Sequence, residues 1–138
     1  MKRKLVLALL ALVTMEAGAS RAERIDLDLH DYDDELMRTL EQTFKYFESD
    51  VTDGNASSYA DDMQVIQYSF GWIKGYFEKK GNDGAKAVQI VQQGIDLVAE
   101  IDKDFKQKNF AAAGDKAHQL SQVCRSCHDI YKPNNARS

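Results

Sequence analysis

Cysteine, histidine and proline are scarce in this chain, at two, three and one. Two cysteines in 138 residues are too few for a disulfide scaffold. They are also too few for a structural zinc site of the cysteine-rich kind, which needs about four ligands. A single proline and eight glycines exclude a fibrous or low-complexity chain. Apolar runs are short. The longest, Leu5–Met15, has eleven residues, whereas a bilayer span takes about 20. Nothing later is apolar enough to cross a membrane, so the mature chain is expected not to be an integral membrane protein. An excess of positive charge is missing as well. Eighteen basic residues face 22 acidic ones, a net charge of −4. This argues against nucleic acid as a partner and is compatible with a basic protein partner.

The first residues have the layout of a cleavable signal peptide. Lys2, Arg3 and Lys4 precede the apolar run, and the small residues Ala17-Gly18-Ala19 and Ser20-Arg21-Ala22 follow it. The expected division is a signal peptide over 1–22, cut after Ala19 or Ala22, and one domain over 23–138. A cut after Ala19 leaves 15 basic and 21 acidic residues, a net charge of −6. The length suffices for one domain with a core.

Four stretches of that domain repeat apolar residues every three or four positions, and no strand alternation or internal repeat stands out. The spacing predicts a first helix over about Tyr32–Ser49, with Leu36, Met37, Leu40, Phe44 and Phe47 on one face and four acidic residues near its start. A second, over about Tyr59–Lys80, carries the seam Met63, Ile66, Phe70, Ile73 and Phe77. Ser58 and Asp61 resemble a capping box before it. A third, over about Ala85–Lys108, has two adjacent seams, one through Val88, Val91, Ile95, Val98 and Phe105, the other through Ala87, Ile90, Leu97 and Ile101. Such width suits a helix with two neighbours. A fourth, over about Phe110–Lys132, is capped by Asn109 and stopped by Pro133. Its seam is Phe110, Ala113, Ala117, Leu120, Cys124, Cys127 and Tyr131. Four amphipathic helices with short connections predict an all-α, antiparallel up-down-up-down four-helix bundle.

The chemistry lies in Cys124-Arg125-Ser126-Cys127-His128. Cys-x-x-Cys-His is the attachment signature of c-type haem. Two thiols one helical turn apart can add to the two vinyl groups on one porphyrin edge, and the next imidazole then reaches the iron. Export supplies the oxidising compartment that such assembly needs. Three other readings are weaker. A disulfide between cysteines one turn apart on a helix is strained. A thioredoxin-like pair belongs in a βαβ context. Zinc lacks further cysteines. One haem c, with its iron, is therefore the expected cofactor.

The run from Cys124 to Lys132, at the end of the last of four helices, resembles class II cytochromes c, the family of cytochrome c′ and its low-spin, methionine-ligated relatives. In helix order and length the resemblance covers the mature chain; its specific part is confined to the last helix. It implies a left-handed four-helix bundle, one covalent haem in the core, a periplasmic location and often a homodimer. It also implies electron transport between redox partner proteins rather than an enzyme activity. Cys124 and Cys127 would anchor the haem, with His128 as proximal iron ligand. The branches of the family differ at the sixth iron position. An open position binds nitric oxide or carbon monoxide, and a methionine there makes an electron carrier of raised potential. Met37 resembles the family's ligating methionine, and it also belongs to the Leu36–Leu40 stripe, so ligation and core packing both remain open. Met63 is the other candidate, and its seam position favours packing. Lys132 matches a basic residue common near the proximal haem face, although a solvated helix-end lysine is the simpler reading; Arg125 can approach a haem propionate, and solvation explains it equally well. His30 and His118 read as surface residues. Gly71 and Gly75 each weaken the second helix by roughly 1 kcal/mol, which suggests close approach of a ring or a helix. Trp72 and Tyr76 lie off the main seam and are candidates to line the haem or a dimer surface.

Overall fold

The structure is a computed structural model that describes residues 24–131; the expected signal peptide, Lys132 and Pro133 lie outside them. The described residues form four α-helices: α1, Asp34–Thr52; α2, Tyr59–Glu78; α3, Ala85–Lys106; and α4, Phe110–Tyr131. A 3-10 turn, Gly81–Gly84, joins α2 to α3, and there is no strand among the described residues. No described helix is long and apolar enough to cross a membrane.

The helix ends differ from the periodicity by a few residues, for local reasons. Asp33 is extended and its carboxylate accepts the amide of Leu36 at 3.0 Å, so α1 begins at Asp34 rather than Tyr32. It runs on to Thr52 because Val51 is fully buried. The capping box at Ser58 does not form. Ser58 has helical backbone angles, and its hydroxyl donates to Asp50 at 3.3 Å instead. Helix α3 ends two residues early, at Lys106. Lys108 takes a left-handed conformation (φ 62°), and the amides of Lys108 and Asn109 return to the carbonyls of Phe105 and Asp104, the Schellman pattern. Gly54 closes α1 in the same way at φ 67°. Glycine is required there twice over, since a Cβ would also fall 2.7 Å from the Phe110 ring.

All five seam residues of α2 are buried, and Leu40, Phe47 and Val51 meet them from α1. Helix α3 contributes Ala87, Ile90, Val91, Val98 and Ile101, and α4 contributes Ala113, Ala117, Leu120, Ile130 and Tyr131. Each large apolar side chain removed from water here is worth about 1.5–3 kcal/mol. Every helix packs on the next and α1 packs on α4, with α3–α4 the most extensive pair. Two glycines let neighbours approach. The Phe70 ring fills the place of a Cβ at Gly94, and Thr52 does so at Gly114. Gly71 and Gly75 have no such role, since no neighbour lies within 4 Å of either position.

One element has no counterpart in the helical periodicity. Residues 24–29 form neither helix nor strand and pack against the helices, with Ile25, Leu27 and Leu29 half-buried and Arg24, Asp26 and Asp28 exposed. The strap is held by single bonds rather than a ladder. The Ile25 amide donates to the Ile130 carbonyl at 3.2 Å, and the Lys80 ammonium donates to the Asp28 carbonyl at 3.1 Å.

Candidate functional site

At one end of the fold the helices part around a cavity of about 810 Å³, within the roughly 300–1,000 Å³ usual for ligand sites. Each helix supplies one wall. Met37, Leu40 and Phe44 come from the first three turns of α1, and Phe70, Ile73 and Phe77 from the second half of α2. Ile90 and Val91 come from the start of α3; Cys124, Cys127, His128 and Tyr131 come from the last turns of α4. The strap adds Leu27 and Leu29. The interior is apolar, and the charged lining residues Asp28, Asp34, Glu41, Lys45 and Glu48 are exposed.

On α4 the positions of Cys124, Cys127, His128 and Tyr131 are three and four apart, which puts them on one face. Both cysteines are half-buried free thiols. Burial pushes the Cys124 thiol up to about 11, and burial together with the neighbouring Cys124 does the same for Cys127. Thiol pairs built for redox exchange have lowered values and are partly thiolate at neutral pH. This pair is set up as two protonated thiols against an apolar space.

The end of α4 is fixed by a buried contact. The Tyr131 hydroxyl accepts the Ala87 amide at 3.1 Å and donates to the Asp83 carbonyl at 3.0 Å. It thus satisfies one of the four amides that a helix start leaves without a partner. Gly84, before α3, has no side chain to do so. The tyrosine ring lines the cavity while its hydroxyl ties α4 to α3.

A second aromatic cluster adjoins the cavity through Tyr32. Tyr32 lines the cavity and meets Trp72 and Tyr76 edge-on, at 5.2 and 4.9 Å between ring centres. Trp72 and Tyr76 stack on each other at 5.3 Å. These two therefore back the wall through Tyr32; neither lines the cavity. The Tyr76 hydroxyl donates to Asp31 at 2.6 Å and Lys80 reaches the same carboxylate at 3.0 Å. The tyrosine hydrogen bond, then the lysine, hold the Asp31 carboxyl down to about 2.

Met37 is half-buried on the α1 wall of the cavity that the two cysteines and His128 also line. Met63 is 5% exposed and lines a separate cavity with Tyr59 and Phe105. Arg125 is exposed and off the cavity wall, and Lys132 lies outside the described residues. His30 sits on the strap at the rim, exposed and 2.7 Å from Asp28. His118 is exposed, 3.2 Å from Glu48, and does not line the cavity. Among the described residues no three His, Cys, Asp or Glu side chains gather as a metal-ion site of their own. Sequence reasoning missed Tyr32 and the strap; the alternation of Ile25, Leu27 and Leu29 was the available sign. Compared with family models, curated proteins and solved structures, the chain matches none of them.

Proposed function

We propose that this chain is an exported, periplasmic c-type cytochrome that carries single electrons between redox partner proteins. In this reading residues 1–22 are its signal peptide, and residues 23–138 form an antiparallel up-down-up-down bundle with one haem c in the core. The observation that carries the reading is the meeting of Cys124, Cys127 and His128 in the wall of one apolar cavity. The alternation of helix starts and helix ends around that cavity, and the short connections, support the bundle topology.

The residues fit the group. The cavity has the volume class of a cofactor site and two free, protonated thiols one turn apart. His128 follows the second thiol on the same face, and Met37 lies in the α1 wall. Cys124 and Cys127 would hold the ring by thioethers, with His128 as the proximal iron ligand. Met37 would take the sixth position. When bound, the haem supplies a one-electron iron couple. The chain's own part is to fix the ring's position, exclude water with Leu40, Phe44, Phe70 and Ile73, and tune the couple through its ligands. An interior without ionised side chains suits a carrier, which needs no group to move a proton to a substrate. In this reading Arg125 would approach a haem propionate and Lys132 the proximal face of the ring.

Two measurements test this. Mass spectrometry of the protein from the periplasm should find one haem mass on the peptide that contains Cys124 and Cys127. A bare peptide would end the reading. The optical spectrum should be low-spin and indifferent to carbon monoxide. A high-spin ferrous form that binds the gas would instead make the protein a five-coordinate, cytochrome c′-type receptor for nitric oxide or carbon monoxide, with Met37 a packing residue.

A further inference from the structure

A second cavity, of about 610 Å³, lies between the first half of α2 and the last turns of α3 and shares no lining residue with the first. Its inner side is apolar and aromatic. Tyr59 and Met63 are buried there, and the rings of Phe105 and Phe110 are half-buried. Tyr59 stacks on Phe105 at 3.7 Å, and Phe110 meets Phe105 edge-on at 5.3 Å, so the wall is already formed in the single chain.

The charged residues of this lining are Asp102, Lys106 and Lys108. Asp102 already has both its partners. Its carboxylate accepts the Tyr59 hydroxyl at 2.9 Å and the Lys106 ammonium at 2.6 Å. Lys108 is exposed and forms no ion pair with a described residue. Two lysines against one aspartate leave the lining at +1, in a chain whose net charge is −4. The backbone singles out the same residue. Lys108 is the one non-glycine among the described residues with a positive φ, and the other two such positions, at 54 and 81, hold glycine. Glycine is the usual residue just after a helix that ends in this way, because a side chain there crowds the backbone. The side chain that this chain carries there is the one that brings an unpaired cation to the cavity.

We propose that this second cavity binds a small aromatic carboxylate. The ligand ring lies against Phe105 and Phe110, where offset and edge-on contacts are favourable. Its carboxylate takes a charge-assisted bond from the Lys108 ammonium. An aromatic cation finds no equivalent partner, because the one carboxylate in the lining is engaged by Tyr59 and Lys106. The site does not rest on the haem reading, since the two cavities have no residue in common.

Calorimetric titration of the purified full protein with 2-naphthoate tests it. The expected dissociation constant is about 100 µM. 2-Naphthamide has the same ring without the charge and should bind at least about threefold more weakly. Lys108→Gln should weaken 2-naphthoate binding to the same degree, and Lys108→Arg should restore it. Ala60 is exposed and lines this cavity but not the first. Ala60→Phe should therefore abolish binding with helix content unchanged by circular dichroism. The proposal is overturned if 2-naphthoate fails to bind at about 1 mM, if the amide binds as tightly as the carboxylate, if Lys108→Gln binds like the parent, or if Ala60→Phe still binds.

Discussion

Gly94→Ala puts the packing around the cavity to the test. The added Cβ would fall 2.1 Å from Cε1 and 2.8 Å from Cδ1 of Phe70, against about 3.5–4.0 Å for carbon atoms in contact. Phe70 is 4% exposed, and its ring can retreat only into the cavity it lines, the space proposed for the haem. Overpacking of this kind costs about 1–3 kcal/mol. Alanine returns about 0.5–1 kcal/mol through its better helix propensity, leaving a net loss of about 0.5–2 kcal/mol. Urea unfolding followed by circular dichroism should show the midpoint falling by about 0.3–1 M, at a slope of about 2 kcal/mol/M. Phe70→Leu in the same chain should remove most of the added penalty, giving a coupling energy of about 1 kcal/mol in the double-mutant cycle. If Gly94→Ala unfolds at the same urea concentration as the parent, or the two substitutions add without coupling, the α2–α3 packing described here is wrong.

Three other outcomes follow from single contacts. Tyr131→Phe strips the buried Ala87 amide of its acceptor and should lower stability by about 1–3 kcal/mol, with faster hydrogen exchange at that amide. The folded Asp31 carboxyl lies near 2, below its usual 3.8. Its contribution is therefore present above pH 4 and fades as pH falls from about 4 to about 2. Asp31→Asn should flatten the acid unfolding curve in that window, and an unchanged curve would refute the Tyr76–Lys80 contact. Met37→Leu, in protein loaded with haem, should convert a low-spin spectrum to a high-spin, carbon monoxide-binding one at a stability change under about 1.5 kcal/mol; no spectral change would exclude Met37 from the iron.

The separation of local from distant information is plainest at the glycines. Gly71 and Gly75 stood out in the sequence as costly helix residues in need of a neighbour, yet among the glycines inside the described α-helices the close approaches occur at Gly94 and Gly114. Propensity is a property of one position, whereas contact depends on what a different helix presents there. Ser58 teaches the same lesson. Its capping pattern is correct in sequence, but a competing carboxylate from Asp50 takes its hydroxyl.

What the chain determined by itself is everything that spacing along one helix decides. The 3.6-residue repeat set the four helices and the buried seam of α2, and three-and-four spacing set Cys124, Cys127 and His128 on one face of α4. Tertiary structure alone decided what stands across from that face. Met37 and Cys127 are 90 residues apart in the chain, and they line one cavity because helix packing brings the start of α1 beside the end of α4. The strap over the rim and the tyrosine that ties α4 to α3 follow from the same cause. They depend on volumes and partners contributed by distant segments, which no local periodicity records.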